Sequence, residues 1–438
     1  MKPFVAWSIR VWLRSQAHTV SISRFHRLVA LVAATILFSG GLILPIDAGA
    51  EVVRIAYLAP LSGSNALVFE ESLKIFRAAA EGANAREGAR FGITIEIVPF
   101  DNKGTAQDTL LVFRQALDQD IRFFTATISS VANALSDAVL KHNQRNPDRQ
   151  VLYLNYDARD PILTEDRCHF WHFRFEPHTE MQVRALAAAV TQPESKRLYL
   201  MNPDYAWGHS VQKAARETLK ELRPDLEIVG DDLVPLAKVK DFAPYVAKIR
   251  ASGADTVLTG NWGQDLTLLV KAANDAGLKA RLLTTHAWVL GTPTAIGSAG
   301  EGRVRTMTAW HINAGPQAWE QRMIQAEKQY RGASHMDFLP IWTTIDMFAR
   351  AMSVAGSSNP LKVAYALEGM EYDAPGGKAW MRREDHQLMA PIYVASFVKV
   401  GTPGVKYDEE GTGLGWKTDF VFDTKDSVPP MRCRMERP

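Results

Sequence analysis

The chain has 438 residues, 47% of them apolar and 22% charged, a length for two ordinary domains and the composition of a globular protein. Five of its bases (Lys2, Arg10, Arg14, Arg24, Arg27) and one acid (Asp47) fall in the first fifty residues; taking them from the 50 Lys and Arg and 48 Asp and Glu leaves 45 against 47. That balance excludes the basic surface that nucleic-acid binding needs.

The basic leader runs into the apolar stretch "LVALVAATILFSGGLILP" and then Ala48-Gly49-Ala50, the order of a signal peptide with a small-x-small cleavage site. The expectation is a leader over 1–50, cut near Ala50/Glu51. An uncut anchor is the alternative; the run is near the lower length limit for spanning, and Ser39-Gly40-Gly41 weaken it. No later stretch is apolar for long enough to cross a bilayer.

From Glu51 onward short apolar runs alternate with longer amphipathic ones. "VVRIAYLAP", "ITIEIVPFD", "IRFFTATIS", "QVLYLNY", "KRLYLMN", "DTVLTGN" and "ARLLTTH" predict strands. Between them "ALVFEESLKIFRAAAEGANA", "AQDTLLVFRQALDQ", "VANALSDAVLKHN", "EMQVRALAAAV" and "GQDLTLLVKAANDAG" predict helices. The alternation implies an α/β chain with parallel sheets covered on both faces. "CHFWHFRFEPH" and "MAPIYVASFVKV" break the rhythm, as strands that could connect two α/β lobes. After the second, "GTPGVKYDEEGTGLGWKTD" reads as an irregular tail.

No motif points to catalysis. G-x-G-x-x-G after a strand, G-x-x-x-x-G-K-[ST], G-x-S-x-G and H-E-x-x-H are all missing, so no cofactor, catalytic residue or metal is expected. His169 and His172, three apart in a strand-like run, point to opposite faces and read as packing residues. Asp231-Asp232 and Glu409-Glu410 read as solvated pairs in loops. The two cysteines, Cys168 and Cys433, are an even number in an exported chain, which predicts a disulfide; two separate buried thiols are the alternative. Ser129 and Ser130 end one strand and precede a helix, where a serine can cap the helix and free amides can hold an anion.

Several stretches come in one order: "IAYLAPLSGSNA", "FDNKGTAQDTLLVFRQAL", "MNPDYAWGHS" and "DFAPYVAKIRASGADTVLTGNWGQDLTLLVKAANDAGL". Together they resemble the leucine/isoleucine/valine-type periplasmic binding proteins of ABC importers, over roughly Glu51 to Lys399. The resemblance implies a type I periplasmic binding protein fold: two Rossmann-like lobes joined by three crossing segments, closing on a ligand like a flytrap. It places 51–174 plus 309–390 in lobe 1, 175–308 plus 391–425 in lobe 2, and 426–438 in a C-terminal tail. It further implies a monomeric periplasmic receptor that delivers a small solute to the permease and ATPase subunits of an importer. A sensing module of the same fold, or an exported hydrolase with Ser129 as nucleophile, are the other readings.

The same resemblance assigns ligand contacts. Ser129 and Ser130 match a carboxylate-binding position. "NYDARD" puts Asp157, Ala158 and Arg159 where the family has small residues and a threonine, so Arg159 could clamp a carboxylate and Asp157 accept from an amine or hydroxyl. Trp207, Trp262 and Phe69 are expected to wall the cleft, with Trp288, Trp310, Ser62 and Asn65 as further candidates. His286 stands where the amino-acid binders often have an acid for the ligand's ammonium. The departures at Asp157, Arg159 and His286 argue for a carboxylate or amide, aromatic ones included, over an ordinary branched-chain amino acid. Asp385, His386 and Gln387 are expected to brace the region between lobes.

Overall fold

The computed structural model describes residues 51–63, 66–88, 92–189, 195–330, 338–423 and 431–438. The leader expected over 1–50 and the candidate Asn65 lie outside them. No helix among the described residues is long and apolar enough to cross a membrane.

The first sheet grows from strand–helix repeats: β1 (Glu51–Ala59), α1 (Ala66–Ala83), β2 (Ile93–Asp101), α2 (Ala106–Asp118), β3 (Phe123–Ala126), α3 (Ser129–Arg145), β4 (Leu152–Asn155) and β5 (His172–Arg174). Its strands lie parallel in the order β2-β1-β3-β4-β5. The inner strands β3 and β4 are buried at every position, which is why they read as unbroken apolar runs rather than alternating ones.

The second sheet takes α4 (Thr179–Ala189), β6 (Arg197–Pro203), α5 (Ala206–Leu222), β7 (Glu227–Val234), α6 (Ala243–Ala251), β8 (Thr256–Thr259), α7 (Gly263–Asp275), β9 (Arg281–Thr284), α8 (Thr292–Gly300) and β10 (Val304–Thr308). The chain then returns to the first core through α9 (Gln317–Tyr330), α10 (Leu339–Ala355) and α11 (Pro360–Leu367). There it adds a small antiparallel sheet of β11 (Glu371–Ala374), β12 (Gly377–Met381) and β13 (Leu388–Met389). Finally β14 (Ile392–Lys399) and β15 (Leu414–Phe422) extend the second sheet, giving β15-β14-β10-β9-β8-β6-β7 with the β14 and β15 pairings antiparallel. The chain therefore crosses between the sheets three times: after β5, after β10 and between β13 and β14.

Four expectations are corrected. The tail after Lys399 is not irregular throughout: β15 occupies nine residues of it, anchored by Trp416, which is fully buried among side chains of the second core. His169 precedes the strand rather than joining it, so its ring lies 6.2 Å from that of His172 instead of facing away. Both are packing histidines, held by Ser136 Oγ (2.8 Å) and Asn155 Nδ2 (3.1 Å). Asp231 and Asp232 lie in edge strand β7, paired with Arg216 and Lys248. Glu409 is buried, and Glu410 accepts from Thr294 N at 2.6 Å near the start of α8.

The first and third crossings are sewn together. Arg174, fully buried, donates from Nε to Gln387 Oε1 (2.7 Å) and from Nη1 to the Asp160 carbonyl (2.6 Å). Gln387 Nε2 donates to the Glu176 carbonyl (2.9 Å), and the Arg174 amide donates to the His386 carbonyl (2.9 Å). Cys168 and Cys433 are bridged. Around the bridge, Arg432 reaches Glu165 at 3.2 Å and Glu180 at 3.8 Å, and Arg437 reaches Glu368 at 2.8 Å.

The bridge closes a loop spanning 265 positions, so it restricts the unfolded chain strongly and stabilises the fold by about 2–5 kcal/mol. Cys168→Ser with Cys433→Ser is expected to lower the unfolding free energy by that amount in urea melts. An unchanged midpoint would show that the tail's ion pairs hold it without the bridge.

Candidate functional site

Between the two sheets lies a cleft of about 770 Å³, its mouth included. Its walls follow from the repeats: the loops after β3 and β4 bring Thr127 to Ser129 and Tyr156 to Arg159, and those after β6, β8 and β9 bring Tyr205, Trp262, His286 and Trp288 to Leu290. These are the carboxyl ends of parallel strands, where open α/β sheets bind ligands. From the side, α1 presents Val68, Glu71, Ser72 and Ile75, one helical stripe at i, i+3, i+4 and i+7.

The turn after β4 assigns a task to nearly every polar group in it. Asn155 Oδ1 accepts the amides of Asp157 (3.2 Å) and Ala158 (2.8 Å), which folds the chain back. Asp160 caps the short helical turn Pro161–Thr164 by accepting from Ile162 N (3.2 Å). That leaves Asp157 and Arg159 in the cleft wall. Asp157 accepts a close bond from Thr127 Oγ1.

Arg159 is 3% exposed, so its charge has to be matched locally. Its Nε donates to Glu176 Oε1 at 2.8 Å, and Nη1 donates to His286 Nε2 across the cleft. Nη2 is 3.3 Å from Asp157 Oδ1 without hydrogen-bond geometry, and has no hydrogen-bond partner among the described residues. The guanidinium also lies over the Trp207 ring, 5.6 Å from its centroid. Burial works against this cation, but Glu176 and Asp157 outweigh it and hold its pKa above the ordinary value. Burial pushes Glu176 up to about 7 against the pull of Arg159. Burial and the Arg159 charge together keep His286 well below its usual range, so it is neutral. With Nε2 accepting from Arg159, its Nδ1–H donates to Thr285 Oγ1 (2.7 Å).

Aromatic rings fill the rest. Trp207, Trp262 and Trp288 each donate an indole N–H within the protein, to Gly260 O (2.9 Å), Tyr205 OH (3.2 Å) and Thr285 O (3.1 Å). Phe69 meets Trp262 edge-on at 6.3 Å, and Phe338 meets Trp288 at 4.9 Å.

Of the residues expected to contact ligand, Phe69, Ser129, Asp157, Ala158, Arg159, Trp207, Trp262 and His286 line the cleft. Ser130 is exposed and turned away from it, because it follows Ser129 on α3 and falls on another face of the helix. Ser129 does not cap α3 either: Ile128 holds the cap position at φ 63°, a left-handed conformation rare for a β-branched residue, with no side-chain cap bond. The first amides of α3 thus start at the cleft wall without intrahelical acceptors. Trp288 joins the wall, whereas Trp310 is buried elsewhere and donates to Gly315 O (2.6 Å). Ser62 is exposed and bonded to Asp101 (2.6 Å). Sequence reasoning missed Glu71, Thr127, Tyr156, Tyr205 and Phe338. For Glu71 a signal existed, a carboxylate on the apolar stripe of an amphipathic helix; Phe338 follows no strand and gave none.

Two α/β sheets, three crossings and a cleft at the strand ends define a type I periplasmic binding protein. The chain belongs to the periplasmic binding protein family, whose profile matches residues 52–402, and is of its leucine/isoleucine/valine type. It is 32% identical over 408 residues to the Leu/Ile/Val-binding protein homolog 4 of Brucella abortus (strain 2308), covering 89% of this chain and 94% of that one. The closed-conformation crystal structure of the leucine-, isoleucine-, valine-, threonine- and alanine-binding protein from Brucella ovis is similar at TM-score 0.79. It is 30% identical, over 89% of this chain and all of that one. A solute-binding protein of an ABC transporter from Rhodopseudomonas palustris HaA2, solved with p-hydroxybenzoic acid, shares the fold at TM-score 0.72 and 18% identity, over 85% and 98% of the two chains.

Arg159 and Glu176 are each other's main compensation, so removing one exposes the other. Arg159→Met is expected to cost about 3–5 kcal/mol in urea melts, and Glu176→Gln added to it to recover most of that loss; additive losses would deny the coupling. The folded-state pKa of Glu176 lies above its ordinary 4.5, so its contribution to stability is fully present below that value and lost as pH rises through about 7. The stability of the wild type relative to Glu176→Gln should therefore fall between about pH 5 and 8. A difference that stays flat would place the Glu176 pKa outside that window.

Proposed function

We propose that this protein captures a small organic solute bearing a carboxylate in the cleft and delivers it, as a monomer in the periplasm, to the permease of an ABC importer. Lobe 1 (51–174 plus 309–390) and lobe 2 (175–308 plus 391–425) would close on the solute, a hinge motion whose equilibrium the ligand biases. The observation that carries the reading is Arg159: a buried guanidinium in a cleft wall whose Nη2 lacks a hydrogen-bond partner among the described residues. A carboxylate there would take the free N–H, with Ser129 and the first amides of α3 as further donors. The relatives support the class of solute. One is named for binding leucine, isoleucine, valine, threonine and alanine, another as a homolog of Leu/Ile/Val-binding protein, and one was solved with p-hydroxybenzoic acid; each of these solutes carries a carboxylate. The three tryptophans suit an aliphatic or planar body equally.

Thermal shift on the chain from Glu51, with aliphatic and aromatic carboxylates and their amides, tests the reading. A ligand held at a hundred times its Kd adds about 2.7 kcal/mol to the native state. Carboxylates are expected to raise the melting temperature, and the shift to vanish in Arg159→Met/Glu176→Gln measured against its own unliganded baseline. A carboxylate shift that survives in that variant would remove Arg159 from the recognition.

A further inference from the structure

Glu71 is the second charged group that the cleft leaves without full compensation. It sits on the stripe of α1 that faces the cavity and is 4% exposed. Its Oε2 accepts from Lys74 Nζ at 3.2 Å, one turn along the helix, and the Lys74 side chain is 42% exposed. Its Oε1 is buried and has no hydrogen-bond partner among the described residues. A buried carboxylate oxygen with nothing to accept from is costly, and most such atoms in folded proteins are satisfied. Glu71 borders a cavity rather than a packed core, so its side chain can turn to meet a donor that enters there.

The charges of the cleft decide what kind of donor it is. Arg159 faces the cavity as a cation, Asp157 and Glu71 as carboxylates, and Glu176 stands behind Arg159. A solute carrying only a carboxylate would bring another anion and leave Glu71 Oε1 without a donor. His286 is neutral and turned toward Arg159, so it offers nothing to an ammonium. Glu71 forms no ion pair with Arg159 among the described residues, so the two poles are separate. Tyr156 also lines the cleft and packs at 4.9 Å against Phe76 of the same helix, an aromatic ring of the kind that favours a cation.

We infer that Glu71 is a second recognition pole, and that the solute carries a carboxylate for Arg159 and, across an aliphatic or planar spacer, a cationic group for Glu71. This rests on the proposed function and narrows its solute to spaced zwitterions and basic amino acids.

Calorimetric titration with matched twins tests it: lysine against norleucine, 6-aminohexanoate against hexanoate, 4-aminomethylbenzoate against 4-methylbenzoate. Within at least one pair the amino twin is expected to bind ten- to a hundredfold more tightly, the range of a hydrogen bond to a charged group. Glu71→Gln should shrink that ratio by a similar factor. Glu71→Gln gives up only the ion pair to the partly exposed Lys74, a kind of pair that contributes little to stability, so the unliganded variant should melt close to the wild type, which separates recognition from misfolding. Preference for the uncharged twins, or a ratio that ignores Glu71→Gln, overturns the inference and leaves the proposed function standing. A protein that takes no member of any pair overturns both.

Discussion

A buried guanidinium is the constraint around which the cleft is built. Removing a cation from water costs several kcal/mol unless charges and hydrogen bonds replace the lost solvation, and Arg159 draws its replacements from three places. Asp157 belongs to its own turn, Glu176 to the first crossing and His286 to the loop after β9 of the other sheet. Its backbone takes part too, since the Arg159 carbonyl accepts both the amide (3.0 Å) and the hydroxyl (2.8 Å) of Thr179 at the start of α4. One side chain therefore fixes the end of the first sheet, the exit of the first crossing and the wall of the second sheet against one another. The aromatic groups follow: Trp207 lies under the guanidinium and edge-on to His286 at 5.3 Å, and Trp288 stacks over His286 at 6.0 Å.

Much of this was legible because parallel sheets leave a strong trace in sequence. Strands buried on both faces read as apolar runs, amphipathic helices separate them, and ligand-facing residues collect where one gives way to the other. Arg159, Trp262 and His286 all stand just after such a run, and the family resemblance singled them out there. What stayed hidden does not obey that rule. Edge strands β7 and β15 are half exposed and carry charged residues that look like loop composition, so Asp231, Asp232 and the "GLGWKTD" segment were misread. Ser130 failed through a detail of angle, because one step along a helix turns a side chain by about 100°. Glu71 was overlooked because a charged residue within a helix is ordinarily read as its wet face, although its spacing from Val68, Ser72 and Ile75 sets it on the apolar stripe.

Unsatisfied buried atoms are not by themselves a mark of function in this molecule. Gln182 Oε1, Glu176 Oε2 and His172 Nδ1 in the crossing region also lack partners among the described residues, yet none of these residues borders the cleft. What separates Arg159 Nη2 and Glu71 Oε1 from them is that both residues face an opening large enough for a solute. The crossings, by contrast, spend their polar groups on each other: Arg174 is bonded to Gln387 and Asp160, and Gln387 to Glu176 and Leu388. Such a network fixes where the chain passes between sheets while leaving the cleft groups to be completed from outside. Stability and recognition are therefore carried by adjacent residues of the same segments. Glu176 shows how closely the two are joined, since its carbonyl holds the third crossing and its carboxylate holds Arg159. A change of charge in the cleft is felt at a residue that also anchors the crossing, so occupancy of the site and the geometry of the crossing share one element.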